Sequence, residues 1–290
     1  MAISSIAILG GDLRQCYCAE YLLSLGWQAT CFHTLDFPYH GKIRLAKSLA
    51  EALANAKVVL APTPLSKDNA LLYQAGSQHP SCPLAEIWDS MSPGQILAVH
   101  SIREQTARLL AEKNCPVFQF SQSETFTAGN SYLTAEGLLS EIIRLTPFSL
   151  ASANILLLGY GRCGSAIGNL LHPLCRTAYV VEWDLSRRAQ AEKNGLTPVA
   201  AADFPEALPP CSLVINTIPA PVLEPGQLQR VPGSCHIFDI ASAPFGFPAD
   251  TAEKYLLPYF RIPGIPGRFA PADAGQLIGK TIERISDYGL

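Results

Sequence analysis

The stretch NILLLGYGRCGSAIGNLL, Asn154–Leu171, constrains this chain more than any other. A short apolar run ending in glycine has the pattern of a parallel strand buried on both faces. Gly159, Gly161 and Gly164 then form G-x-G-x-x-G directly after that strand, and a helical stretch follows. Gly159 permits the tight turn, Gly161 lets the backbone approach a pyrophosphate, and Gly164 lets the helix pack closely on the strand. The free N–H groups and partial positive charge of a helix N-terminus complete an anion cradle, to which Tyr160, Arg162 and Cys163 contribute backbone. The arrangement predicts a Rossmann domain that binds NAD or NADP.

An acid at the end of the next strand supports this. Glu182, in AYVVEWDLSRR, lies 18 residues beyond Gly164. A carboxylate there can accept from both ribose hydroxyls and repel a 2′-phosphate, which favours NAD. Arg187 and Arg188 follow and are equally suited to hold that phosphate, so the choice stays open. Trp183 is placed to flank the adenine. INTIPA and DIASAP each follow an apolar strand, at ends that rim a cofactor crevice in a doubly wound sheet. Asn216, Thr217, Ile218 and Pro219, with Ala241 and Ser242, are the candidates there, Asn216 and Thr217 for the ribose or nicotinamide amide. Turn chemistry is the alternative.

The 290 residues allow two domains, and strand–helix alternation occurs twice. The fold class expected is α/β, with two Rossmann-like, doubly wound parallel-sheet domains and an interdomain cleft. Residues 1–125 with a C-terminal helix at 271–290 form the first domain, and 126–270 the dinucleotide domain. Asn130 or Ser131 is expected to cap the joining helix, which Pro147 stops. With 16% charged residues, a net charge of −3 and no basic run, nucleic acid is not an expected partner. No apolar run reaches the roughly 18 residues a membrane span needs, and no signal peptide is read. Nine scattered cysteines are expected to be reduced and small-hydrophobe-like, with no metal site.

The first strand ends differently. AILGGDLRQ has only Gly10 and Gly11 before Asp12, Arg14 and Gln15, too little glycine for a dinucleotide. A helix N-terminus still attracts anions, and Arg14 adds a planar fork suited to a carboxylate. Gly11, Asp12, Arg14 and Gln15 are therefore expected to face the cleft and bind substrate. Asp12 as a simple helix cap is the alternative. Thr63 in APTPLS and Ser101 lie at other strand ends and join this candidate set. His100, also at a strand end, is the best-placed titratable group for proton transfer.

GGDLRQ, NSYLTAEG, LLLGYGRCG, INTIPA, DIAS and PGIPGRFAPADAGQ occur in an order that resembles the dipicolinate synthase A subunits, nearly end to end. The resemblance implies a fold like alanine dehydrogenase and the D-2-hydroxyacid dehydrogenases. It implies NAD(P)-dependent oxidation of a dihydrodipicolinate precursor to pyridine-2,6-dicarboxylate. It further implies partnership with the flavoprotein-like B subunit of that synthase and a cytoplasmic place in the mother cell of a sporulating bacterium, with homo-oligomerisation left open. Glu136 matches an acid of the family motif and is the second candidate base. Where members of the family carry an arginine and a lysine, this chain has Ala243 and Ala272. Members often have an arginine near Trp183 and no acid at Glu182. Arg268 stands where an apolar residue is usual and is expected, with Arg14, to hold one carboxylate each of a small dicarboxylate. Two readings compete with this one: a non-catalytic protein that only binds a dinucleotide, and a related dehydrogenase of another small carboxylate.

Overall fold

A computed structural model describes residues 5–76, 79–199, 204, 210–222, 225–242, 245–247 and 249–285. The chain divides into two compact units, Met1–Asn130 with Ala270–Leu290, and Ser131–Phe269. Unit 1 contains β1 (Ser5–Leu9), α1 (Leu13–Ser24), β2 (Gln28–Phe32), β3 (Arg44–Leu45), α2 (Leu49–Leu53), β4 (Val58–Leu60), α3 (Leu84–Ser90), β5 (Ile96–Val99), α4 (Glu104–Glu112) and β6 (Val117–Gln119). Helix α5 (Glu124–Leu145) begins in unit 1 and ends in unit 2. Unit 2 continues with β7 (Asn154–Leu158), α6 (Arg162–Leu171), β8 (Thr177–Val181), α7 (Leu185–Lys193), β9 (Thr197–Val199), β10 (Leu213–Asn216), α8 (Pro225–Leu228), β11 (His236–Asp239), α9 (Ala249–Lys254), β12 (Tyr259–Arg261) and α10 (Ile265–Phe269). The chain then returns to unit 1 as α11 (Pro271–Glu283).

Among the described residues each unit has one six-stranded parallel sheet, ordered β3-β2-β1-β4-β5-β6 in unit 1 and β12-β11-β10-β7-β8-β9 in unit 2. The strand order reverses beside β1 in the first and beside β7 in the second, which is where doubly wound sheets bind ligands. Both faces of each sheet are covered. Ile6 and Ile8 of β1 enter one core while Ala7 and Leu9 enter the other. Ile155 and Leu157 of β7 separate from Leu156 and Leu158 in the same way. That is why these strands read as continuous apolar runs. Helix α11 closes on α1 through two small residues: a Cβ on Gly275 would lie 2.6 Å from the Arg14 carbonyl, and one on Gly279 2.4 Å from the Tyr21 ring.

The joining helix starts earlier than its sequence suggests. Asn130 and Ser131 lie inside α5, and the Ser123 hydroxyl accepts from the Phe126 N–H at the true start. Phe126 packs on Phe120, so this extra turn is anchored in the unit 1 core. Among the described residues no three or more metal-ligating side chains cluster, and all nine cysteines are free. No helix among them is long and apolar enough to cross a membrane.

Candidate functional site

The two strand–turn–helix units look alike in sequence and differ in what fills their turns. In unit 2, Gly159 has φ +89°, and a Cβ there would meet the Thr217 hydroxyl at 2.7 Å. A Cβ on Gly164 would lie 2.1 Å from the Gly159 carbonyl oxygen, so only glycine lets α6 approach its strand. Gly161 is the N-cap of α6, and no side chain caps that end. Its Cβ direction is open: the nearest neighbour is the Arg187 guanidinium, 3.9 Å away. The first N–H groups of a helix have no intrahelical acceptor. Here Arg162, Cys163 and Gly164 present theirs beside a free approach, the arrangement a pyrophosphate needs.

Glu182 stands at the end of β8 and is 6% exposed. Its carboxylate accepts from the Tyr160 N–H (2.8 Å) and the Asp184 N–H (3.0 Å). Two of a carboxylate's roughly four acceptor positions are thereby used, which fixes the group beside the glycine loop and leaves capacity for a ribose. Trp183 is exposed, as is Arg187. The Tyr160 side chain turns inward: its hydroxyl donates to Asn169 and accepts from Asn194. Cys163 Sγ lies 3.5 Å from the Ser131 hydroxyl.

The later strand ends carry the turn chemistry that the sequence also allowed. Asn216 is fully buried; its amide donates to the Ile218 carbonyl and to Asp239, and its oxygen accepts from the Ile218 N–H. The Thr217 hydroxyl donates to the Leu158 carbonyl. Both side chains brace the turn: the Asn216 amide is spent on protein partners, while the Thr217 hydroxyl, half-buried, uses its proton and keeps acceptor capacity. Ile218 is half-buried, while Pro219 and Ser242 are exposed on the same rim. The brace centres on Asp239, which sequence reasoning missed. Its buried carboxylate accepts from Asn216 Nδ2, the Ala241 and Gly246 N–H groups and the Tyr259 hydroxyl. Burial pushes the Tyr259 phenol up to about 12, which keeps it a donor. An acid ending the strand HIFD was the available signal. Ala243 lies outside the described residues.

In unit 1 the same kind of turn is closed. Gly10 and Gly11 have φ of +52° and +87°, and their N–H groups donate to the Phe32 and Tyr73 carbonyls. Asp12 caps α1 by accepting from the Arg14 N–H, and Gln15 Oε1 accepts from the Asp12 N–H in return. The Gln15 side chain fills the direction of a Gly11 Cβ, with Oε1 at 2.1 Å. No pyrophosphate can enter a turn so occupied.

Arg14 is not the free clamp its sequence position suggests. It is 6% exposed, gives both ends of its fork to Asp12 (2.9 and 2.8 Å), and donates to the Thr63 carbonyl. Arg14→Ala is expected to destabilise unit 1 by about 2–4 kcal/mol, because it strands a partly buried carboxylate. Denaturant unfolding checks this; a loss below about 0.5 kcal/mol would show the pair to be idle. Arg268 is 60% exposed on α10, 3.7 Å from the Glu141 carboxylate. Glu141 lies ten residues beyond Ser131, about 15 Å along the helix from the contact with the glycine loop. The structure therefore does not bring Arg268 to that loop.

His100 follows β5, with its ring 5.9 Å from Phe126 and its Nδ1 buried without a partner. Burial, and then the nearby Arg14 charge, hold it below the usual histidine range, so it is neutral and able to accept a proton. Ser101 is exposed beside it. Glu136 is half-buried on α5 in unit 2.

Residues 5–121 match the family model described as the N-terminal domain of the dipicolinate synthase A subunit. The chain is 29% identical over 156 residues to the dipicolinate synthase A subunit of Bacillus subtilis, a match spanning 54% of this chain and 52% of that protein. A crystal structure of the dipicolinate synthase A chain from Bacillus subtilis superposes with a TM-score of 0.86 at 20% identity, over 99% of this chain and 97% of that one. An L-alanine dehydrogenase structure superposes with a TM-score of 0.62 at 12% identity, over 98% and 90%. The two folds are thus shared with these proteins.

Proposed function

We propose that this chain, whose residues 5–121 match the model of the A-subunit N-terminal domain of dipicolinate synthases, is the dinucleotide-dependent oxidoreductase component of such a synthase. The observation that carries this reading is the uncapped N-terminus of α6, with the open approach at Gly161 and Glu182 fixed beside it. When bound there, NAD or NADP supplies a hydride acceptor. The α6 N–H groups hold its pyrophosphate and Glu182 takes the adenine ribose, with Arg187 reaching over the loop. Oxidising a dihydropyridine dicarboxylate to the aromatic acid releases a hydride and a proton. Neutral His100 is our candidate for taking the proton, and Glu136 the alternative. The names of the relatives support a partner in the synthase's B subunit, and the resemblance supports action in the mother cell during sporulation.

The test is to supply dihydrodipicolinate with NAD+ or NADP+ and to follow reduced dinucleotide and dipicolinate together, with and without the B subunit. One reduced dinucleotide per dipicolinate is expected. Dipicolinate formed without dinucleotide reduction would refute the assignment.

Cofactor choice rests on Glu182. A carboxylate held by two backbone N–H groups cannot swing away from a 2′-phosphate, so NADH is expected to bind about tenfold or more tightly than NADPH. Paired calorimetric titrations measure this. Tighter binding of NADPH would assign the 2′-phosphate to Arg187 and reverse the reading of the acid.

A further inference from the structure

Three buried polar atoms without partners lie along one rim of unit 1: Gln15 Nε2, Thr63 Oγ1 and His100 Nδ1. They follow three adjacent strands, β1, β4 and β5. Leu60 pairs with both Ile8 and Ala98, so Thr63 and His100 stand three and two residues past one rung. At about 4.8 Å per strand the three atoms are spread over roughly 10 Å, beside the point where the strand order reverses. Gln15 is 0% exposed. A buried amide N–H without an acceptor is costly, and its partner is missing from the protein itself.

The chemistry of the rim selects the ligand. Gln15 Nε2 can only donate, because Oε1 already caps α1. Thr63 Oγ1 donates or accepts. Arg14 crosses the same rim, donating to the Thr63 carbonyl, but its charge is balanced by Asp12. Neutral donors beside a balanced ion pair suit a carboxylate rather than a doubly charged phosphate. We infer that Gln15 Nε2 and Thr63 Oγ1 form the subsite for one carboxylate of a small aromatic or dihydroaromatic acid, turning its ring toward His100 Nδ1. This rests on the oxidoreductase reading for the identity of the acid. It replaces Arg14 with Gln15 as the residue that reads the carboxylate.

The variant that tests this is Gln15→Glu. Glutamate is the usual partner in this capping position, so α1 keeps its cap while the donor becomes an anion. Binding of dipicolinate and of the neutral pyridine-2,6-dicarboxamide to the full chain is measured by calorimetry, with and without saturating NAD+. Gln15→Glu is expected to weaken dipicolinate by about 30-fold and to leave the diamide bound at least as well as by the parent. Thr63→Val should weaken dipicolinate by about tenfold. Parental dipicolinate affinity in both variants, or no binding by the parent, overturns the inference. NAD+ affinity should be unchanged in both variants. If the parent fails to bind NAD+, the oxidoreductase reading fails, while the carboxylate result can still be read from the titrations without it.

Discussion

Gly161→Val is expected to abolish dinucleotide binding, by at least about 100-fold, and to leave the fold intact. Both halves of this expectation come from geometry. Gly161 has φ −72°, a conformation valine tolerates, and its Cβ direction meets only the flexible end of Arg187 at 3.9 Å. The free protein therefore has room for the side chain. A bound pyrophosphate does not, because the branched methyls would fill the path to the α6 N–H groups. Gly164→Val provides the contrast. Its Cβ would lie 2.1 Å from a backbone carbonyl oxygen that cannot move without pulling β7, so it should cost roughly 3 kcal/mol or more in stability. Titration calorimetry and denaturant unfolding of both variants separate the two roles. A folded Gly161→Val protein that binds NAD(P)H normally would mean that the pyrophosphate does not pass over this glycine.

Asp239→Ala should be the most destabilising polar substitution in unit 2, at about 4 kcal/mol. The carboxylate is fully buried and gathers four donors from three segments: Asn216 at the end of β10, the Ala241 and Gly246 N–H groups after β11, and the Tyr259 hydroxyl on β12. Alanine strands all four. Each buried donor left alone costs about 1–3 kcal/mol, and partial rehydration of the cavity returns some of it. Because these loops rim the proposed cofactor crevice, dinucleotide affinity should fall as well. Denaturation midpoints measure the first effect. A loss below about 1 kcal/mol would show that the loops are held by other contacts.

The glycine loop was legible because its constraints are local. A strand, a tight turn and a helix lie within eighteen residues, and Gly159 and Gly164 each answer a separate steric demand. The long strands were legible because both sheet faces are covered. Three of the four edge strands, β3, β9 and β12, were not: β3 is two residues long, and β9 carries Pro198, which only an edge tolerates. The bracing role of Asn216 and Thr217 was not legible, because a polar residue at a strand end looks free until its partners are known. Those partners include Asp239, 23 residues away. The same blindness affected Arg14, whose fork suits a ligand carboxylate but is filled by Asp12 two residues earlier. The sequence showed that the first turn lacks a third glycine. It did not show that Gln15 fills the space a phosphate would need, nor that its amide nitrogen is left without an acceptor.

Of the two similar turns, the one in unit 2 is expected to hold a dinucleotide and the one in unit 1 is not. The stoichiometry of NAD(P)H binding to the whole chain tests this most directly. Calorimetric titration should give one dinucleotide per chain, lost in Gly161→Val and retained in Gln15→Glu. Two dinucleotides per chain, or a single one that survives Gly161→Val, would contradict it.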